Sequence, residues 1–168
     1  MSYVDTSVIV AALDRLDPRR ALALEALGKE GKKVSELVVT ELASVLSRRK
    51  EMLQELATRI GVREEIIVPA TLLYILRRFG LEYKRIDGRK RVLFLGDLYS
   101  PFATAIELSS KLKVKTLDLL HLAYIKTLIE GGEEIREIVT VDEDFEREKR
   151  AIKDALNIEV IMLESPRS

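Results

Sequence analysis

The opening stretch, Tyr3-Val4-Asp5-Thr6-Ser7-Val8-Ile9-Val10, constrains this chain more than any other. β-Branched residues dominate it, and such a run reads as a strand buried on both faces, as in a parallel sheet. A carboxylate sits where the strand ends, and two hydroxyls follow it at once. In open α/β sheets, ligands bind beyond the carboxyl ends of the strands, where strand order reverses. Asp5 is therefore expected at a binding site, and other acids must converge on it for that site to have chemistry.

Composition narrows that chemistry. The 168 residues suit one domain, 1–164, followed by a short tail, 165–168. Lys+Arg and Asp+Glu are both 28, so the formal net charge is zero. A nucleic-acid partner must then meet a local patch instead of an overall field. With no Cys and a single His, the chain has no disulfides, no thiolate nucleophile, and no Cys-based or multi-His zinc site. A metal would be held by oxygen, which favours Mg²⁺ or Mn²⁺. Asp5 breaks the N-terminal apolar run before it reaches signal-peptide length, and no uncharged stretch reaches the roughly 18 residues of a membrane span. A cytoplasmic location is expected.

Further along, Asp17-Pro18 reads as a helix start, with Asp as N-cap and Pro in the first turn. Lys33-Val34-Ser35 allows only a brief strand, and Ser35 can cap the helix carrying Leu37, Val38, Leu42, Val45 and Leu46. Glu41 lies on or beside that apolar stripe. Residues 51–80 have a helical pattern broken near Gly61 and at Pro69, and Ile66 to Leu76 is uncharged, so it is buried or forms an interface. Asp87-Gly88 between Glu82–Ile86 and Arg89–Leu95 signals a basic β-hairpin. Ser100-Pro101 starts another helix, and Thr116 caps the one that Gly131-Gly132 ends. Glu137–Val141 is a strand, Phe145–Leu156 a helix and Ile158–Leu163 a last strand.

Strand–helix alternation at both ends predicts an α/β domain with a parallel sheet and helices on both faces. Asp5 and Asp142 then fall at strand ends on one edge of that sheet. Asp118, in the first turn of its helix, complements the positive helix end on the simplest reading, and Asp142 and Asp144 can serve as cap residues. Four acids, Asp5, Glu41, Asp118 and Asp142, each set among apolar neighbours, nevertheless suggest one cluster.

Val4-Asp5-Thr6-Ser7, Thr40-Glu41-Leu42, Leu117-Asp118-Leu119-Leu120-His121-Leu122-Ala123 and Thr140-Val141-Asp142-Glu143-Asp144-Phe145 occur in this order across nearly the whole chain. The ordered set resembles the PIN-domain ribonucleases. The resemblance implies a PIN-like fold, a twisted parallel sheet flanked by helices, and metal-dependent endonuclease activity on RNA. Asp5, Glu41, Asp118 and Asp142 would be its catalytic and metal-binding acids. Toxins of VapBC-type toxin–antitoxin pairs and single archaeal PIN proteins are similar, so the resemblance implies a homodimer and, in the toxin case, an antitoxin partner. Relative to compact toxins, 82–95 looks like a basic hairpin insertion.

The chemistry agrees. Gathered carboxylates repel one another unless protons or counter-ions relieve them. A hard divalent ion does so, lowers the pKa of its water and stabilises the leaving oxygen, and two ions about 3.5–4 Å apart would do both. Thr6 and Thr140 are candidates to orient acids or water, and Asp144 is a supporting acid. His121, one turn after Asp118, is given a structural role. Lys84, Arg85, Arg89, Lys90 and Arg91 are candidate RNA contacts, or charges that protect an edge strand. The rival readings are a catalytically silent PIN-like module that binds RNA or protein, and a Mg²⁺-binding receiver-type phosphoacceptor domain. Receivers do not place acids on helices as Glu41 and Asp118 stand.

Overall fold

The computed structural model describes residues 1–49, 53, 54, 58, 61 and 63–164. Most of the helical reading of 51–62, and the tail 165–168, lie outside the described residues. The first half of the chain contains β1 (Ser2–Val4), α1 (Thr6–Leu13), α2 (Arg20–Gly28), β2 (Lys32–Ser35), α3 (Glu36–Ser47) and α4 (Glu64–Arg78). A middle section follows with β3 (Glu82–Lys84), β4 (Arg89–Val92), β5 (Gly96–Tyr99) and α5 (Ser100–Leu108). The last part contains α6 (Thr116–Glu130), β6 (Glu137–Thr140), α7 (Glu143–Arg147), α8 (Lys149–Leu156) and β7 (Glu159–Met162).

Five strands form one sheet in the order β3-β2-β1-β6-β7, and every pairing in it is parallel. The chain steps outward from β1 through β2 to β3, then returns to lay β6 on the other side of β1. Strand order therefore reverses at β1, and Asp5 follows its carboxyl end, where the α/β rule puts a ligand. Tyr3 and Val4, which point to opposite faces, are both buried, as are Ile138 and Val139 on β6. Helices thus cover both faces, as expected for a parallel sheet.

β1 is shorter than the sequence suggests. Val8, Ile9 and Val10 lie in α1, although β-branched residues favour strands. Val8 and Ile9 are fully buried there, and burial outweighs a propensity difference of only a few tenths of a kcal/mol. Pro69 does not break its helix, because α4 runs through it. Proline there costs one backbone bond near the amino end, while Ile67 and Ile75 anchor the helix in the core. Its other side leaves Ile66, Leu73 and Tyr74 exposed. The single helix read over 145–156 is two, parted at Glu148. Ser35 and Lys115 occupy N-cap positions without side-chain caps, and Thr116 is the first residue of its helix. Asp17 precedes α2 by three residues and accepts from the Arg19 amide (2.8 Å).

The hairpin is present, but its strands differ from those predicted. Glu82–Lys84 joins the parallel sheet against Lys33–Ser35, while Arg89–Val92 pairs antiparallel with Gly96–Tyr99. The turn falls at Leu93-Phe94-Leu95, with Phe94 at φ 67° and Gly96 at φ 84°. Gly88 serves for close approach instead: a Cβ there would sit 2.8 Å from Ser100 Oγ, and its carbonyl accepts from the Ser100 amide (3.0 Å). Asp87-Gly88 joins a strand of the parallel sheet to a strand of the hairpin and is not the hairpin's own turn.

Buried Lys32 donates to the Leu27 carbonyl at the end of α2 and to the Phe79 carbonyl after α4 (2.7 Å). A cation at two helix carboxyl ends also suits both dipoles. Lys32→Met is expected to destabilise the protein by about 1–3 kcal/mol, because two carbonyls lose a buried donor. Urea unfolding checks this; an unchanged midpoint would show that the ammonium contributes nothing.

Candidate active site

Asp5 leaves β1 in extended backbone and stands at the N-cap position of α1 without capping it. Its amide donates to the Val139 carbonyl (3.0 Å), locking it to β6. Its Oδ2 accepts from the Thr140 hydroxyl (2.8 Å) and from Ser7. Thr140 Oγ1 in turn accepts from the Asp142 amide (3.0 Å), so one buried hydroxyl ties two acids together. Asp142 caps α7, its Oδ1 accepting from the Asp144 amide (2.9 Å).

The helices supply the other acids. Thr6 Oγ1, in the first turn of α1, donates to Glu41 Oε2 on α3 (2.5 Å). Asp118 sits in the first turn of α6, 9% exposed, and its Oδ2 has no hydrogen-bond partner among the described residues. Burial pushes its carboxyl pKa up, and the charges of Asp142 and Asp5 push it further.

Asp5, Glu41, Asp118 and Asp142 all line one cavity of about 570 Å³, with Thr6, Ser7, Ser44, Arg48, Lys115 and His121. Ligand atoms of Asp118, Asp142 and Asp144 lie within 4.8 Å of one another, as do those of Asp5, Glu41 and His121. Asp144 is itself engaged by Lys115 (2.6 Å) and Arg147. Thr140 is fully buried behind Asp5.

His121, read as structural, stands buried among the acids. Its Nε2 lies 2.9 Å from Glu41 Oε2 and 3.5 Å from Asp5 Oδ1, and its Nδ1 is 3.0 Å from the Tyr3 hydroxyl. Tyr3 continues to Ser35 Oγ at 2.7 Å. Burial lowers the imidazole pKa, but the Glu41 hydrogen bond and the Asp5, Glu41 and Asp118 charges outweigh it and raise the value. Burial also raises Glu41, yet His121 and Thr6 hold its carboxyl below the usual range. The signal was available in sequence: His121 follows Asp118 by one helical turn, on the same face. Arg48 and Lys115 were missed as well.

The proposed RNA-contacting cations are mostly engaged elsewhere. Lys84 pairs with Glu82 and with Glu133 (2.7 Å), Arg85 with Asp87 (2.6 Å) and Lys90 with Glu107 (2.6 Å). Arg89 donates to the Asp97 carbonyl (2.8 Å). Among the described residues Arg91 has no such partner.

This arrangement of acids at the carboxyl edge of a five-stranded parallel sheet is accompanied by a sequence match. The family model described as the PIN domain matches residues 2–151. The chain belongs to the PIN domain family. Solved structures that share this fold include two from toxin–antitoxin systems. VapBC2 from Rickettsia felis, bound to a DNA fragment from its promoter, superposes with a TM-score of 0.55 at 19% identity over 98% of this chain and 100% of that one. VapC20 from Mycobacterium tuberculosis, a sarcin-ricin loop cleaving toxin, gives 0.52 at 18% identity over 88% and 94%. The sequence has no match among curated proteins. A PIN assignment displaces the receiver-type reading. Among the described residues, no helix is long and apolar enough to cross a membrane.

The donor set of this PIN domain suits a divalent cation. Its members are carboxylate oxygens, the ligands that hard cations prefer. Asp118 Oδ2 is a buried acceptor without a donor, flanked by two more carboxylates, and a cation would relieve both the unmet acceptor and the repulsion.

Proposed function

We propose that this PIN domain is an endoribonuclease dependent on Mg²⁺ or Mn²⁺. The observation that carries the reading is the convergence of Asp5, Glu41, Asp118 and Asp142 on one cavity, with a buried Asp118 oxygen left unpartnered. These four would be the catalytic acids: Asp5, Asp118 and Asp142 would hold the ion, and Glu41 would be a further ligand or would position the attacking water. When bound, the ion supplies Lewis-acid stabilisation of the scissile phosphate and lowers the pKa of the attacking water.

The chain's own residues do the rest. Thr140 and Ser7 fix Asp5, so the carboxylate does not have to reorganise during the reaction. Thr6 and His121 fix Glu41 through Oε2, making Glu41 the candidate to position the attacking water. Arg48 and Lys115 line the cavity, and since Lys115 already pairs with Asp144 (2.6 Å), Arg48 is the first candidate phosphate contact. The likeness to VapBC2 and VapC20 supports a toxin acting with an antitoxin, and an RNA-processing nuclease is the other setting for the same site. The exposed Ile66, Leu73 and Tyr74 of α4 offer a surface for a homodimer.

The test is cleavage of a mixed RNA pool with Mn²⁺, with Mg²⁺ and with EDTA, alongside Mn²⁺ titration calorimetry. The expected result is saturable Mn²⁺ binding and cleavage that EDTA abolishes. Cleavage indifferent to EDTA would overturn the metal dependence. RNA binding without cleavage would support the silent-module reading instead.

A further inference from the structure

The site is not symmetric in what its acids already have. Asp5 Oδ2 accepts from Thr140 and Ser7, and Oδ1 faces His121 Nε2 at 3.5 Å. Glu41 Oε2 accepts from Thr6 at 2.5 Å and from His121 at 2.9 Å. Nε2 must carry a hydrogen to face two carboxylates, and it does so in both the neutral tautomer and the charged ring. Tyr3 holds the ring from behind through Nδ1, and Ser35 holds Tyr3. Tyr3 and Ser35 are fully buried and His121 nearly so, so this chain of contacts is rigid.

On the opposite side Lys115 and Arg147 pair with Asp144, and the Asp144 amide donates to Asp142, but among the described residues nothing donates to Asp118 Oδ2. Asp118 is nine-tenths buried, lines the cavity, and has an oxygen with no partner among the described residues. Demand for a cation is therefore concentrated at Asp118, between Asp5 and Asp142, whereas the Glu41 side is already supplied by protein hydrogens.

We infer that His121 is a positioning residue that takes the place of a second ion, so that the site binds a single divalent cation on Asp5, Asp118 and Asp142. This rests on the metal-dependent reading above. Glu41 then orients water instead of completing a second metal site. Substituting His121 removes the Nε2 donor from Glu41 and the ring that stands 3.5 Å from Asp5, and so opens their side to another cation.

The experiment is Mn²⁺ titration calorimetry on the wild-type protein, His121→Ala and His121→Gln, with circular dichroism confirming that each is folded. The expected result is one Mn²⁺ per chain for wild type, two for His121→Ala, and a return to one for His121→Gln, whose amide retains a donor. Two ions in the wild type would overturn the inference while leaving the metal-dependent reading intact. A single ion in a folded His121→Ala would also overturn it. No binding by the wild type would overturn both. If His121→Ala does not fold, Tyr3→Phe, which frees the ring from its anchor, should bind a second Mn²⁺ where the wild type binds one, and a single ion in a folded Tyr3→Phe would overturn the inference.

Discussion

Asp5→Asn is expected to cleave RNA roughly 10²- to 10⁴-fold more slowly than the wild-type protein, with its fold intact. Metal-ion stabilisation of a transition state is worth several kcal/mol, and each 1.36 kcal/mol is a factor of ten in rate. Asp5 is the acid most fully committed to the site: its backbone is tied to β6, and Thr140 and Ser7 fix its Oδ2. Asparagine keeps one oxygen to accept from those hydroxyls, and it removes a charge from a cluster of like charges, so folding has little reason to suffer. The charge that draws a cation is what it lacks. Cleavage rates in Mn²⁺, together with a circular-dichroism melt, decide the matter. A folded Asp5→Asn protein that cuts within tenfold of wild type would place the chemistry elsewhere.

The features legible in sequence were those that depend on local position. A carboxylate after a buried β-branched strand has to lie at the edge where ligands bind, so Asp5 and Asp142 could be placed from the parallel pattern alone. Glu41 and Asp118 could be found because acids among apolar neighbours on helix faces are costly without a purpose. The misreadings came where a residue's use is decided by distant neighbours. Gly88 looked like a turn glycine, yet its missing side chain makes room for Ser100. Val8, Ile9 and Val10 looked like strand, yet the core recruits them as helix. His121 was read as structural, and its partners lay beyond the reach of local pattern. Its spacing from Asp118 was visible, but its contact with Glu41 joins residues 80 apart. That contact depends on how α3 and α6 meet beneath the sheet edge, which no local pattern encodes.

Asp118→Asn should reverse the order of thermal stability depending on whether a divalent ion is present. Burial and the charges of Asp142 and Asp5 raise the Asp118 pKa above its ordinary range, so the folded protein holds this proton to higher pH than the unfolded chain does. Its contribution to stability is then fullest below the ordinary aspartate range and is lost as pH rises through the raised value. At neutral pH without metal, the fold disfavours the Asp118 carboxylate relative to the unfolded chain, a cost that asparagine removes, and the variant should melt at the higher temperature. The difference should shrink at acid pH, where Asp118 is protonated in both states. Adding Mn²⁺ at about a hundred times its dissociation constant stabilises a binding-competent fold by about 2.7 kcal/mol, or roughly 5–10 °C for a chain of this size. The wild type should gain this and the variant little of it, so their melting order crosses over, while cleavage by the variant falls as for Asp5→Asn. Differential scanning calorimetry with and without Mn²⁺, at neutral and acid pH, measures both effects. A variant that melts below wild type without metal, or that gains as much from Mn²⁺, would show that the unpartnered Asp118 oxygen is not where the cation acts.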